Sequence, residues 1–266
     1  MLLSRSWYYL SSVLTMLLGI RNWPMMVAVF LGVPVRKPVV VELRKSGHRF
    51  RVRTPMDIWI IKETCLDQDY EKASVALRDG WTIVDIGAGL GDFAIHAAGG
   101  RPHANVYAYE PFPESFYLMQ QNVELNGLTN IRMFPEAVGS GVSEATLFLD
   151  APEAVQLSTV SNADHARVQK RVEVPSTTLE RILDDHDLHS CDFLKIDCEG
   201  AEYEILFSTS DRSLQKIKHV CLEYHDGVTQ YSHEDLAAFF HSKNFQVRLQ
   251  ANRVHPHLGL LYAFRA

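Results

Sequence analysis

The stretch that most constrains this chain is residues 82–92, Thr-Ile-Val-Asp-Ile-Gly-Ala-Gly-Leu-Gly-Asp. A short apolar run ends in Asp85, glycines follow at alternate positions 87, 89 and 91, and apolar residues resume at Phe93, Ala94 and Ile95. That order predicts a strand, a tight turn and a helix N-terminus, the unit that opens a nucleotide-binding α/β domain. Glycines there allow positive φ and let backbone N–H groups approach a ligand that a Cβ would hold off. A dinucleotide-binding turn wants its third glycine one residue later, so this spacing argues against a pyrophosphate.

Two further stretches narrow the reading. Residues 105–110, Asn-Val-Tyr-Ala-Tyr-Glu, alternate as a strand and end in an acid, with Pro111 after it. Glu110 falls roughly 20 positions beyond the glycine turn, where such folds place a carboxylate for ribose hydroxyls; the plainer alternative is a solvated acid at a strand end. The other stretch is residues 193–202. Its string Lys195-Ile196-Asp197-Cys198-Glu199-Gly200-Ala201-Glu202 resembles the signature of the FkbM-type methyltransferases, a class I family dependent on S-adenosylmethionine (SAM). Asp85-Ile86-Gly87-Ala88-Gly89, Tyr109-Glu110-Pro111 and Val174-Pro175…Thr178-Leu179 fit the same family, and the resemblance runs from about Val39 to the end. It implies SAM as cofactor, a glycine turn that holds the cofactor's methionine part, and O-methylation of a glycan, glycolipid or secondary metabolite.

Alternation of strand and helix patterns from residue 80 onward predicts an α/β, Rossmann-like sheet. It is mostly parallel and seven-stranded, has helices on both faces, and closes on an antiparallel pair at residues 245–249 and 260–264. Residues 114–126 read as a helix ending at Gly127, and residues 231–243 as a capped amphipathic helix. The long connection from 139 to 191 departs from the alternation and reads as an insertion of the kind that builds substrate pockets. Its residues 145–149 look like a strand, and residues 156–163 are polar and uncommitted. Ahead of the domain, residues 39–43 and 49–53 read as a β-hairpin, residues 58–61 as a possible extension of it, and residues 63–77 as a helix. The expected organisation is therefore an N-terminal segment 1–36, an appendage 37–79 and a catalytic domain 80–266.

Charge separates these parts. Residues 1–53 hold nine basic residues and one acid, Glu42, a net +8 within a chain of net −6, so the remainder carries −14. An acidic body argues against nucleic acid as a partner, because phosphate attraction supplies most non-specific affinity. Residues 7–20 and 23–33 are apolar and separated by Arg21-Asn22. Neither run reaches the ~20 residues that span a bilayer. Joining them would put Arg21 mid-membrane at about 2.5–3.5 kcal/mol. Two helices broken at residues 21–24 are expected, packed or facing a partner, or touching an anionic membrane surface peripherally. Cys65, Cys191, Cys198 and Cys221 show no metal spacing and read as reduced thiols of a cytoplasmic compartment, with the inner face of a membrane as the nearest surface.

Ligands of open α/β sheets sit beyond the carboxyl ends of the strands. The candidate cofactor residues are Asp85, Gly87, Ala88, Gly89, Gly91, Glu110, Glu136 and Ala137. On the acceptor side Asp197, Glu223 and His225 end two strands expected to be neighbours, with Glu199 in support. A hydroxyl far above neutrality in pKa needs a general base or a Lewis acid. Those three groups suit either a divalent ion such as magnesium, as in catechol-type O-methyltransferases, or a metal-free base. A histidine base would titrate near ~6.5. Lys195 is expected to pair with a buried carboxylate, and Cys198 to pack. An NAD-dependent oxidoreductase is disfavoured by the glycine spacing and by the lack of a Tyr-x-x-x-Lys pair. A non-catalytic relative is disfavoured because Asp85, the glycines and Glu110 are all retained. Amino methylation of nucleic acid is disfavoured too, since the fourth strand ends in Asp-Cys-Glu-Gly and not in Asn-Pro-Pro-Tyr.

Overall fold

A computed structural model of the chain describes residues 2–35, 38–141, 143–149, 157–158, 170–252 and 254–265. Two helices, α1 (Leu2–Gly19) and α2 (Trp23–Phe30), come first, broken at Arg21-Asn22 with Pro24 in the first turn of α2. The hairpin β1 (Val39–Glu42) and β2 (Arg49–Val52) pairs antiparallel, Val41 opposite Phe50. Asn22 stitches the helices to it: its side chain donates to the Val40 carbonyl at 2.6 Å and accepts from the Glu42 N–H at 3.0 Å.

Residues 58–61 do not extend that sheet; they belong to α3 (Pro55–Ile61). The cause lies just upstream, where Thr54 and Asp57 form a reciprocal capping box and Pro55 occupies the first turn, signals that outweigh four apolar residues of β-type composition. The continuous helix expected over 63–77 is also replaced. A π-helical stretch (Lys62–Asp67) gives way at Gln68, φ 57°, to a short α4 (Asp69–Ala73). Glu71 then takes the Leu77 N–H at 2.8 Å and turns the chain towards the domain.

The domain follows as β3 (Thr82–Ile86), α5 (Asp92–Ala98), β4 (Asn105–Tyr109), α6 (Pro113–Leu125) and β5 (Ile131–Phe134). Next come β6 (Ala137–Gly139), β7 (Ser143–Leu149), β8 (Leu157–Ser158), β9 (Lys170–Thr178), α7 (Leu179–Asp185), β10 (Cys191–Ile196), α8 (Glu202–Ser208) and α9 (Asp211–Gln215). The chain closes with β11 (Ile217–His225), α10 (His233–Ser242), β12 (Gln246–Ala251) and β13 (Leu258–Phe264). Seven strands form the central sheet in the order β12-β13-β11-β10-β3-β4-β5, with β13 antiparallel to both its neighbours and the other pairings parallel. The insertion builds a separate four-stranded sheet, β6-β9-β7-β8, and most of its expected polar segment 156–163 lies outside the described residues.

Strand side chains alternate between two cores, as the pleat requires. Ile83, Val106 and Ala108 pack with Phe93 of α5 and Met119 of α6; Val84, Tyr107 and Tyr109 pack with Ile182 of α7 and Ile205 of α8. The first core also takes in Met16, Ile20, Met26, Val41 and Phe50, so the N-terminal helices and hairpin share one apolar cluster with the domain.

Candidate active site

Register builds the centre of the site. Lys195 of β10 lies directly beside Asp85 of β3, and its Nζ reaches Asp85 Oδ1 at 3.2 Å and the Gly87 carbonyl at 2.6 Å. Both side chains are buried. The expected pairing of Lys195 with a buried carboxylate is thus present. Burial alone would neutralise the ammonium, but the charges of Asp85, Asp197 and Asp92 overcome it and hold its pKa above the ordinary lysine value. Asp85 is pushed up by burial against the pull of Lys195. Asp85 therefore anchors the turn from behind and does not line the cleft.

The glycines divide the same way. Gly87 and Gly89 line the cleft, whereas Ala88 and Gly91 sit behind it. A Cβ on Gly87, φ 74°, would stand 1.8 Å from the Asp197 carbonyl oxygen, so only glycine lets the ends of β3 and β10 approach this closely. Gly89, φ 53°, has nothing nearer than Asp92 at 4.0 Å and leaves open space over its backbone. Its N–H donates to Glu110 Oε2 at 2.8 Å, and the Phe112 N–H donates to Oε1 at 2.9 Å. Each oxygen keeps a second acceptor site for a ligand hydroxyl. Burial pushes Glu110 up to about 7, with those two N–H groups pulling against it. Glu136 and Ala137 line the cleft beside it, with Leu147 from the insertion.

Next to the turn, Asp197 and Glu223 follow adjacent strand positions Ile196 and Leu222, and His225 ends β11. Ligand atoms of Asp197, Glu223 and His225 lie within 4.8 Å of one another, so the expected acceptor-side group is brought together and suits a divalent cation in donor type. Asp226, His233 and Glu234 form a second such cluster, in which Asp226 and His233 are half-buried and Glu234 is exposed. Glu199, φ 51°, takes a left-handed backbone that brings its carboxylate 3.4 Å from His225 Nε2. Glu202, fully buried, locks the loop: it accepts from the Cys198 N–H at 2.7 Å and the Gly200 N–H at 2.8 Å, and meets His225 Nδ1 at 3.2 Å.

That surround corrects the expected titration of His225. Burial alone would lower the imidazole, but Glu202, Glu199 and Asp197 overcome it and raise His225 to about 10, far from ~6.5. Without a bound cation it is an imidazolium at neutral pH and has no lone pair with which to accept a proton. Burial and the Asp197 charge push Glu223 up, and burial lifts Glu199 to about 7. The site therefore holds more carboxylate than it can keep ionised, and it favours cationic ligands.

Several contributors were not legible as site residues. Tyr70 of α4 donates to Asp197 at 2.9 Å, and Asp92 lines the cleft from the first turn of α5. Tyr8, Ser11, Ser12 and Thr15 of α1, and Trp59, Glu63 and Thr64 of the appendage, line it as well. The signal was there only for Asp92, the acid that closes the glycine turn. The cleft encloses about 1220 Å³, larger than a typical single-ligand pocket of roughly 300–1,000 Å³.

The sequence matches the methyltransferase FkbM domain over residues 85–247. Among curated proteins it is similar to the hexuronic acid methyltransferase AglP of Haloferax volcanii, 25% identical over 212 residues that cover 79% of this chain and 82% of that protein. It is also similar to the 31-O-demethyl-FK506 methyltransferase FkbM of Streptomyces tacrolimicus, 25% identical with 63% and 74% covered. Among solved structures, M. capricolum TrmK in complex with S-adenosyl-homocysteine matches with a TM-score of 0.47 and 16% identity, covering 74% of this chain and 67% of that one.

Proposed function

The chain belongs to the FkbM methyltransferase family and is a SAM-dependent methyltransferase, and we propose that it methylates a hydroxyl group of a glycan, glycolipid or secondary metabolite. The observation that carries this reading is the convergence of Asp197, Glu223 and His225 in the same cleft as the Gly87–Gly89 turn and Glu110. The relatives support the acceptor class, one named for a hexuronic acid and one for 31-O-demethyl-FK506.

The residues fit SAM on three counts. The backbone over Gly89 is open, the Glu110 oxygens keep acceptor sites for ribose hydroxyls, and an acid-rich cleft attracts a ligand that is itself cationic. When bound, SAM supplies a methyl group already activated for transfer. The remaining work belongs to the chain: holding the acceptor oxygen in line, excluding water and receiving a proton. Glu223, its pKa raised by burial and the Asp197 charge, is the group best placed to take that proton once it is ionised. Asp197, oriented by Tyr70, and the His225 imidazolium position the hydroxyl. A second version of this centre follows from the donor set, in which Asp197, Glu223 and His225 hold a divalent cation that acidifies the hydroxyl.

Chelation separates the two. In the metal-free version turnover survives a chelator and rises with pH as Glu223 ionises, and Glu223→Gln lowers it by about 10²–10⁴ while SAM affinity is kept. In the cation version chelation abolishes turnover and added magnesium restores it. Full turnover in both Asp197→Ala and Glu223→Gln, with SAM still bound, would place the chemistry elsewhere.

A further inference from the structure

Helix α1 carries its polarity reversed. Facing the domain are Tyr8, Ser11, Ser12 and Thr15, with Met16; facing outward are Trp7, Tyr9, Leu10, Val13, Leu14 and Leu18. A helix on a water-surrounded surface has the opposite arrangement, with its apolar stripe inside. Trp7 and Leu18 are 71% and 74% exposed, and Leu31, just past α2, is 72% exposed. Single exposed apolar residues are ordinary, but a ridge of them along one helix and onto the next is a mark of an interaction surface.

The inward polar face has a use. Tyr8 donates to Glu63 at 2.9 Å, and Ser11, Ser12 and Thr15 line the active-site cleft. Ser12 is 2% exposed, and its hydroxyl has no partner among the described residues. The same helix therefore walls the cleft with one face and presents hydrocarbon with the other. Tyr9, Phe30 and Met56 are exposed and also line the cleft, so the cleft opens along the edge of the apolar ridge.

Charge decides what covers the ridge. Residues 1–53, the ridge together with the hairpin that follows it, have a net +8, against −14 for the rest of the chain; residues 7–33 themselves hold one cation, Arg21, and no acid. Arg44 stands exposed at the end of α1, where its guanidinium donates to the Leu18 and Ile20 carbonyls. A second copy docking by the same face would bring two basic N-terminal segments together, whereas an anionic bilayer complements them. Among the described residues no helix is long and apolar enough to cross a membrane, which leaves α1 lying in the plane of the interface.

We infer that α1 and α2 dock this protein on an anionic lipid surface, and that its methyl acceptor is a hydroxyl on a lipid-borne head group entering by the Tyr9–Phe30–Met56 edge. The acceptor half rests on the methyl-transfer reading above; the docking half does not.

The test uses the full chain in flotation with vesicles of phosphatidylcholine, alone or with phosphatidylglycerol. The wild type floats with the anionic vesicles and is released by high salt. Leu10→Ser/Leu14→Ser/Leu18→Ser lowers binding a hundredfold or more, at roughly tenfold per leucine, while its SAM isotherm and melting midpoint stay at wild-type values. If the triple variant proves poorly folded, Trp7→Ser alone carries the comparison. Equal flotation of variant and wild type, or none by either, overturns the docking. So does a wild-type dimer that the triple variant dissolves, since a second copy would then occupy the ridge. With labelled SAM and a cell extract, label entering the lipid-soluble fraction supports the acceptor assignment, and label confined to water-soluble glycans overturns it. Flotation by a protein that binds no SAM would sustain the docking and sink the methyl-transfer reading.

Discussion

Glu110→Gln tests the cofactor side with one atom changed. The carboxylate is 6% exposed, and each oxygen already accepts one backbone N–H, from Gly89 and from Phe112. An amide supplies one oxygen and one NH₂, so one acceptor for a ribose hydroxyl is lost and one backbone N–H meets a donor. A charge-assisted hydrogen bond is worth about 1.5–3 kcal/mol, which weakens SAM binding roughly ten- to a hundredfold. The fold suffers less, because two effects oppose each other. Burial lifts Glu110 to about 7, above the ~4.3 of an unfolded chain, so its contribution to stability is complete at acidic pH and is lost as pH rises through about 7. The glutamine has no such loss, which offsets its unmatched N–H, and above neutrality the two proteins should unfold within about 1 kcal/mol of each other. Calorimetric titration with SAM from about pH 6 to about pH 8 reads the outcome. Wild-type affinity should climb by up to about tenfold per unit below pH 7 and then level, while the variant stays flat. Equal affinities at the alkaline end, or a wild-type profile flat through 7, would refute the assignment of Glu110 to the cofactor.

Gly87→Ala should cost the fold more than ~3 kcal/mol in chemical denaturation, since its Cβ would strike the Asp197 carbonyl at 1.8 Å. Gly89→Ala, with nothing closer than 4.0 Å, should cost only the ~1–2 kcal/mol of a left-handed alanine and lose SAM affinity instead; equal denaturation midpoints for the two variants would count against the proposed roles of these glycines. Lys195→Met should destabilise by about 3–5 kcal/mol by stranding buried Asp85. Asp85 is already raised by burial, so the variant should regain stability as pH falls and its carboxyl protonates, and adding Asp85→Asn should recover most of the loss. A pH-independent deficit would show that the ion pair is not its source.

Much of the scaffold was written locally. The glycines at 87, 89 and 91, the acid at 110 and the string from Lys195 to Glu202 lie at strand ends because short apolar runs stop there, and stop signals are local. The seven strands followed from the same alternation, and the Lys195–Asp85 pair from a buried cation that must find an anion. Even the break at Arg21-Asn22 could be read from a charge inside an apolar run. Local patterning misled where competing local signals met, as at residues 58–61, where the Thr54–Asp57 capping box overrode β-type composition. Only the tertiary structure decided the rest, because it depends on distances between residues far apart in the chain. Tyr70 reaches Asp197 across 127 positions, and His225 becomes an imidazolium because three carboxylates converge on it. Which side of α1 turns outward was equally undecided by its composition. A run of alternating serine, tyrosine and leucine fits either packing, and only the cleft beneath it turned the hydroxyls inward and left the leucines outside.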